Sequence, residues 1–134
     1  MPGHSHIEVL HEDNHLLVIN KLAGILVQGD ATGDEPLVEE AKKYIKKKYN
    51  KPGAVFLGVV HRLDRPVSGV VVFARTSKAL TRMNALFKNR KTKKTYWAIV
   101  DHKPPANSGR LVHCLVKDEK KNKTPPYSTE HGQG

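Results

Sequence analysis

The segment His61-Arg62-Leu63-Asp64-Arg65-Pro66-Val67-Ser68-Gly69 sets one carboxylate between two guanidinium groups, in a turn entered from an apolar run and left into another. Opposite charges within about 4–6 Å favour the ionised form of an acid, so the flanking arginines are expected to hold Asp64 charged. An ionised carboxylate in a turn can serve as nucleophile or base. Arg62 and Arg65 have the planar donor geometry that suits phosphate. His61 is expected to orient the loop by hydrogen bonding rather than take part in chemistry, and Ser68 and Gly69 to shape the turn. The plain alternative is a local ion pair, worth little when exposed.

The whole chain leans the same way. It carries a formal net charge of +10 over 134 residues, with 27% charged and 38% hydrophobic residues. Such a balance favours a polyanionic partner. Between Lys88 and Lys123 basic residues far outnumber the acids Asp101, Asp118 and Glu119, and Lys93-Lys94-Thr95-Tyr96-Trp97 interleaves cations with aromatic rings. Cations neutralise phosphates and aromatic faces stack on unpaired bases, so this stretch reads as an RNA surface. Lys42, Lys43, Lys46, Lys47 and Lys48 read instead as the solvated face of a helix.

No run approaches the ~20 apolar residues of a membrane helix, and the first residues lack a secretory pattern. The lone Cys114 excludes an intrachain disulfide and fits a reducing, cytoplasmic setting. His4, His6, His11 and His15 are too loosely spaced for a recognisable metal site. No metal, cofactor or membrane is expected, and the protein is expected to be a monomer.

The elements that must position the turn are short. Ile7–Leu10 and Leu16–Asn20 read as strands around a polar turn. Asp34 reads as the cap of a helix with Pro36 in its first turn and Leu37, Val38, Ala41, Tyr44, Ile45 and Tyr49 at helical spacing. Val55–Val60 and Val70–Ala74 are continuous apolar strands, a pattern that predicts cover on both faces. Thr76 or Ser77 caps a second helix, with Ala79, Leu80, Met83, Leu86 and Phe87 toward the core. Thr95–Val100 and Gly109–Val116 read as further strands. Residues 7–116 are expected to be ordered, and 117–134 to be a loop or disordered. Strands outnumber helices, which gives an α+β class with a mixed, mainly antiparallel sheet and two flanking helices.

The motif His61 to Gly69 resembles that of the RluA-type pseudouridine synthases, His-Arg-Leu-Asp followed by Arg, a variable residue and Thr-Ser-Gly. Two collinear stretches strengthen the resemblance. Asn20-Lys21-Leu22-Ala23-Gly24-Ile25-Leu26-Val27 is similar to the family's Asn-Lys-Pro-Ala-Gly motif. Lys94-Thr95-Tyr96-Trp97-Ala98-Ile99-Val100 is similar to its Lys-x-Tyr-x-Ala-x-Val. The resemblance implies an enzyme that isomerises uridine to pseudouridine in ribosomal or transfer RNA without cofactor or metal. It implies that Asp64 is the essential carboxylate, either attacking C1′ of the ribose or removing the 2′ proton. Tyr96 would pack on the uracil and assist with the C5 proton. Arg62, Arg65 and Lys94 would contact RNA, and Lys21 either a backbone phosphate or only the protein surface.

Leu22 and Val67 replace the family's proline and threonine without removing a group from the reaction. The family's later Gly-Arg-Thr-His-Gln-Ile-Arg motif has no match; Gly109-Arg110-Leu111-Val112-His113 lacks its continuation. Residues 1–134 are therefore expected to be the N-terminal portion of an incomplete catalytic domain, inactive alone. The competing reading is a non-catalytic basic RNA-binding module.

Overall fold

Strand alternation in Leu16–Lys21 sends Leu17, Ile19 and Lys21 to one face, and all three are fully buried. This strand organises the chain. The computed structural model describes residues 7–116 together with Pro126 and Tyr127. The chain divides into two units, Met1–Lys94 and Thr95–Gly134.

In the first unit, β1 (Glu8–Glu12), β2 (Leu16–Lys21), β3 (Gly58–Val59) and β4 (Gly69–Ala74) form one sheet in the order β1-β2-β4-β3, every neighbouring pair antiparallel. β1 carries an irregularity between Val9 and His11. β2 and β4 pair along their whole length, from Leu16 opposite Ala74 to Lys21 opposite Gly69. Leu17 and Ile19 from β2 and Val71 and Phe73 from β4 bury themselves against Leu37, Val38, Ala41 and Ile45 of helix α1 (Leu37–Lys48), with Val27 and Leu57 closing the core. Helix α2 (Ser77–Lys88) packs against β3 and β4. The leucine side chain of Leu80 lies so close to Gly58 that an added Cβ would meet it at 2.8 Å.

Several sequence expectations give way here. Asp34 does not cap α1. Pro36 occupies the cap without a side-chain hydrogen bond, and the N–H groups of Leu37 and Val38 donate to the carbonyls of Leu26 and Val27 at 2.7 and 3.1 Å. The orphan donors of the helix start are thus satisfied by a neighbouring segment. Thr76 does cap α2, its hydroxyl accepting from the Ala79 N–H at 3.0 Å. Of the α2 residues expected in the core only Ala79 is fully buried, and Leu86 is exposed. The continuous apolar character of Val70–Ala74 overstated its cover: Val71, Phe73 and Ala74 are buried, but Val70 is exposed.

The expected strand Val55–Val60 shrinks to Gly58–Val59. Its ladder with β4 runs from Gly58 opposite Ala74 to Val59 opposite Phe73. The next residue along β4, Val72, gives its N–H to the His61 imidazole instead. A side chain takes the place of a ladder bond, and the strand ends.

In the second unit the only ladder among the described residues joins β5 (Cys114–Leu115) to β6 (Pro126–Tyr127), antiparallel. Thr95–Val100 forms no strand, and Gly109–Val116 contributes only β5. A run of β-formers becomes a strand only where a partner backbone meets it, and none of the described residues offers one to residues 95–100. The expectation of a loop over 117–134 falls, apart from β6, outside the described residues.

Candidate active site

The first unit gathers the motif residues at one end of the sheet, where β2 finishes and β4 begins. A turn places Asp64 there, its carbonyl accepting from the Val67 N–H at 2.9 Å. Asp64 is exposed, and among the described residues its carboxylate forms no ion pair and no side-chain hydrogen bond. This departs from the plain alternative of a local ion pair with the flanking arginines.

Arg65 explains the departure. Its Nη2 donates to the Asp34 carboxylate at 2.6 Å and its Nε to the Gly24 carbonyl at 2.9 Å. Its own carbonyl accepts from the Gly24 N–H at 2.7 Å and from Lys21 Nζ at 3.1 Å. Arg65 therefore clasps the motif turn to residues 21–34 with both side chain and backbone. The hydrogen bond from Arg65, and then its charge, hold the Asp34 carboxyl below its ordinary value. Gly24 takes a φ of +92°, a region open to glycine, and so permits this close backbone pairing.

Lys21 corrects a second expectation. Its side chain is wholly buried, and its ammonium donates to the carbonyls of Leu22, Ile25 and Arg65 at 3.0, 2.7 and 3.1 Å. An ammonium has three protons, and all three are taken. Nothing remains for an RNA phosphate; Lys21 is an internal tie between the end of β2 and the Asp64 turn. Burial pushes its pKa down, as does the charge of Arg65, while Asp64 opposes both. The two-residue alternation Leu17, Ile19, Lys21 already places this lysine on the buried face, and that signal was sufficient to find the role.

His61 enters the turn from β3. Its Nε2 accepts the Val72 N–H at 3.0 Å, which requires a neutral ring with the proton on Nδ1. The ring stacks on Phe87 of α2 with centroids 5.0 Å apart, and Lys94 Nζ lies 5.4 Å from the centre of the same Phe87 ring. Burial lowers the His61 pKa, and the Lys94 charge lowers it further. Gly69, the first residue of β4, has a φ of +144°, a conformation that other residues avoid. Ser68 and Arg62 are exposed, and among the described residues the Arg62 guanidinium forms no ion pair. Tyr96 lies in the second unit, exposed.

The structure thus brings together His61, Arg62, Asp64, Arg65, Ser68, Gly69 and Lys21. It adds Gly24 and Asp34, which sequence reasoning assigned to a loop and to a helix cap. Among the described residues no group of three or more metal-ligating side chains occurs. His11 hydrogen-bonds Asp13 at 2.8 Å; His4 and His6 lie outside the described residues. No helix of the described residues is long and apolar enough to cross a membrane.

The family profile of the RNA pseudouridylate synthases matches residues 15–134, which include the whole Asp64 turn and both strands that flank it. The chain belongs to this family. It is 35% identical over 115 residues to the ribosomal large subunit pseudouridine synthase C of Buchnera aphidicola subsp. Acyrthosiphon pisum (strain APS), covering 86% of this chain and 35% of that protein. It is 38% identical over 100 residues to the ribosomal large subunit pseudouridine synthase D of Zymomonas mobilis (73% of this chain, 32% of that protein). Among solved structures it is similar to human RNA pseudouridylate synthase domain containing 4, with a TM-score of 0.54 and 28% identity over 63% of this chain and 30% of that one. The chain spans about a third of the length of the curated relatives it matches.

Proposed function

We propose that the protein carrying this chain isomerises uridine to pseudouridine in RNA, with Asp64 as its catalytic carboxylate. The observation that carries this reading is the state of that side chain. Asp64 is exposed and without a side-chain partner among the described residues, while Lys21, Gly24, Arg65 and Asp34 hold the backbone on which it sits. A group held in place but chemically unspent suits pre-organised catalysis. A structural ion pair would have engaged it. Family membership supports the same reaction.

The reaction breaks the N1–C1′ glycosidic bond, joins C5 to C1′, and moves a proton from C5 to solvent as N1 gains one. It needs no oxidant and no net loss of atoms other than that exchange. The target base must leave its stack before a side chain can reach the ribose. Arg62, exposed and unpaired among the described residues, is the cation of the motif available to hold RNA; Arg65 is engaged by Asp34. Tyr96 is proposed as the aromatic wall of the uracil from its place in the Lys94–Val100 motif, and ribosomal RNA as the substrate because the relatives are ribosomal large subunit pseudouridine synthases.

RNA labelled with tritium at uracil C5 tests the reading. The full-length protein should release tritium, and its Asp64→Ala variant should release none while still binding RNA. Equal release by both would overturn the assignment of Asp64. RNA binding with no release by the unaltered protein would favour the non-catalytic RNA-binding module.

A further inference from the structure

The end of the sheet remote from Asp64 is also built from cations. β2 has six residues, so its Leu16 end stands about 17 Å from its Lys21 end. α1 spans about the same distance in the opposite chain direction. Its start adjoins Leu26 and Val27 near the Asp64 turn, and its last turn lies about 18 Å further on.

That remote end joins three elements. At the close of α1, Tyr44, Lys48 and Tyr49 all bond the Glu12 carboxylate. Arg75, just past β4, lies over the Tyr49 ring with 4.7 Å between guanidinium carbon and centroid. Arg75 also donates through its Nη1 to the Asp13 carbonyl at 2.6 Å and through its backbone to the His15 carbonyl at 2.8 Å. Beyond the Asp13–His15 turn, Lys78 and Arg82 of α2 stand at a largely apolar groove of about 660 Å³ that Leu16, Ala79, Met83 and Leu86 also line, so the cations there border apolar surface. Lys48, Arg75, Lys78 and Arg82 therefore follow one another across this end, with Lys47 and Lys51 exposed beside them.

The two acids at this end, Glu12 and Asp13, offset only part of the charge of Lys47, Lys48, Lys51, Arg75, Lys78 and Arg82. Glu12 is nearly buried and spent on two phenols and Lys48. Asp13 accepts from the His11 ring and from the N–H groups of His15 and Leu16. Among the described residues Lys47, Lys51, Lys78 and Arg82 form no ion pair, whereas Lys42 and Lys43 are matched by Glu39 and Glu35. Tyr49 remains partly exposed beneath Arg75.

We propose that this remote end is a second docking surface for RNA, one that grips the sugar-phosphate backbone of a helical stem next to the target nucleotide. The inference rests on the reading that RNA is the substrate. The arithmetic fits a duplex. A separation of about 17 Å spans several base pairs of an A-form RNA stem, which proteins contact through its phosphates and 2′-hydroxyls. A stem that begins at the Asp64 turn would thus reach Arg75, Lys78 and Arg82. Lysines and arginines reading only phosphate would add affinity and register without reading sequence.

The test is fluorescence anisotropy of the 134-residue chain with a labelled RNA hairpin of about twelve base pairs, across a series of KCl concentrations. The double variant Lys78→Glu, Arg82→Glu should raise Kd about tenfold and reduce the slope of log K against log salt by about 2, one per lost phosphate contact. The double variant Lys42→Glu, Lys43→Glu makes the same change in net charge on paired lysines, and should change Kd less than about threefold. All four positions are on helix surfaces, and circular dichroism checks that each variant is folded. Unchanged binding by the first variant would overturn the proposal, as would equal losses in both, which would mean net charge alone. Preference for phosphatidylserine vesicles over the hairpin at this surface would overturn it in favour of a membrane. Because Asp64→Ala leaves this surface intact, it should bind the hairpin as the unaltered chain does. Failure of catalysis at Asp64 is therefore read separately, by tritium release.

Discussion

Replacing Lys21 with methionine tests the tie beneath the Asp64 turn. Methionine keeps nearly the length of the lysine stem, so the change opens little cavity and removes mainly the ammonium. Three charge-assisted bonds are lost, to Leu22, Ile25 and Arg65. Such bonds contribute about 1.5–3 kcal/mol each. Against this, removing a buried charge recovers a desolvation penalty of several kcal/mol. The Arg65 carbonyl also keeps its bond from the Gly24 N–H. The net expectation is a loss of about 2–3 kcal/mol, a sizeable share of the ~5–15 kcal/mol that holds a domain together. Urea unfolding followed by far-UV circular dichroism reads that loss directly. Hydrogen exchange should quicken at the Gly24 and Val67 amides, because the turn loses one of its anchors. If Lys21→Met is as stable as the unaltered chain and exchanges no faster at those amides, the ammonium does not hold the turn and the tie is wrong.

Other consequences are open to measurement. Burial raises the Glu12 carboxyl, but hydrogen bonds from Tyr44, Tyr49 and Lys48 outweigh it and bring the pKa from 4.5 down to about 2. A folded-state pKa below the unfolded one stabilises above pH 4.5 and is lost as pH falls toward 2. The loss is about 3 kcal/mol at most, and Glu12→Gln should abolish that acid dependence in urea melts; an unchanged pH profile would count against the network. The His61 pKa is lowered by burial and by Lys94, so its contribution is complete above about pH 6.5 and declines as pH falls below it. Nitrogen NMR should show a neutral ring protonated on Nδ1 at pH 6.5, and a half-charged ring there would contradict the bond from Val72. Gly58→Ala drives a Cβ into Leu80 and should destabilise by about 1–3 kcal/mol. Gly53→Ala, with open space around it, should fall within about 0.5 kcal/mol of the unaltered chain; equal stabilities would show that α2 does not press on β3.

The chemistry of this chain is legible along its length because motif residues are contiguous. His61 to Gly69 can be read without knowing what surrounds it. Strands β2 and β4 and both helices are equally visible, since the apolar periods that mark them extend over only a few residues. The alternation in β2 even discloses that Lys21 faces inward. Its partners are a different matter: the Arg65 carbonyl is 44 residues away.

What only the tertiary structure decided is which charges meet. Arg65 stands beside Asp64 in sequence, yet its guanidinium reaches Asp34, 31 residues distant. The Leu26 and Val27 carbonyls, not Asp34, receive the first amides of α1. The His61 ring, not a backbone carbonyl, receives the Val72 amide and ends β3. Each outcome is a choice among competing hydrogen-bond partners of similar strength, and the winner is set by which groups the packed core brings within about 3 Å. Sequence by itself determined that a carboxylate would stand in this turn. The fold decided that the neighbouring arginine would hold the turn and leave Asp64 unpaired.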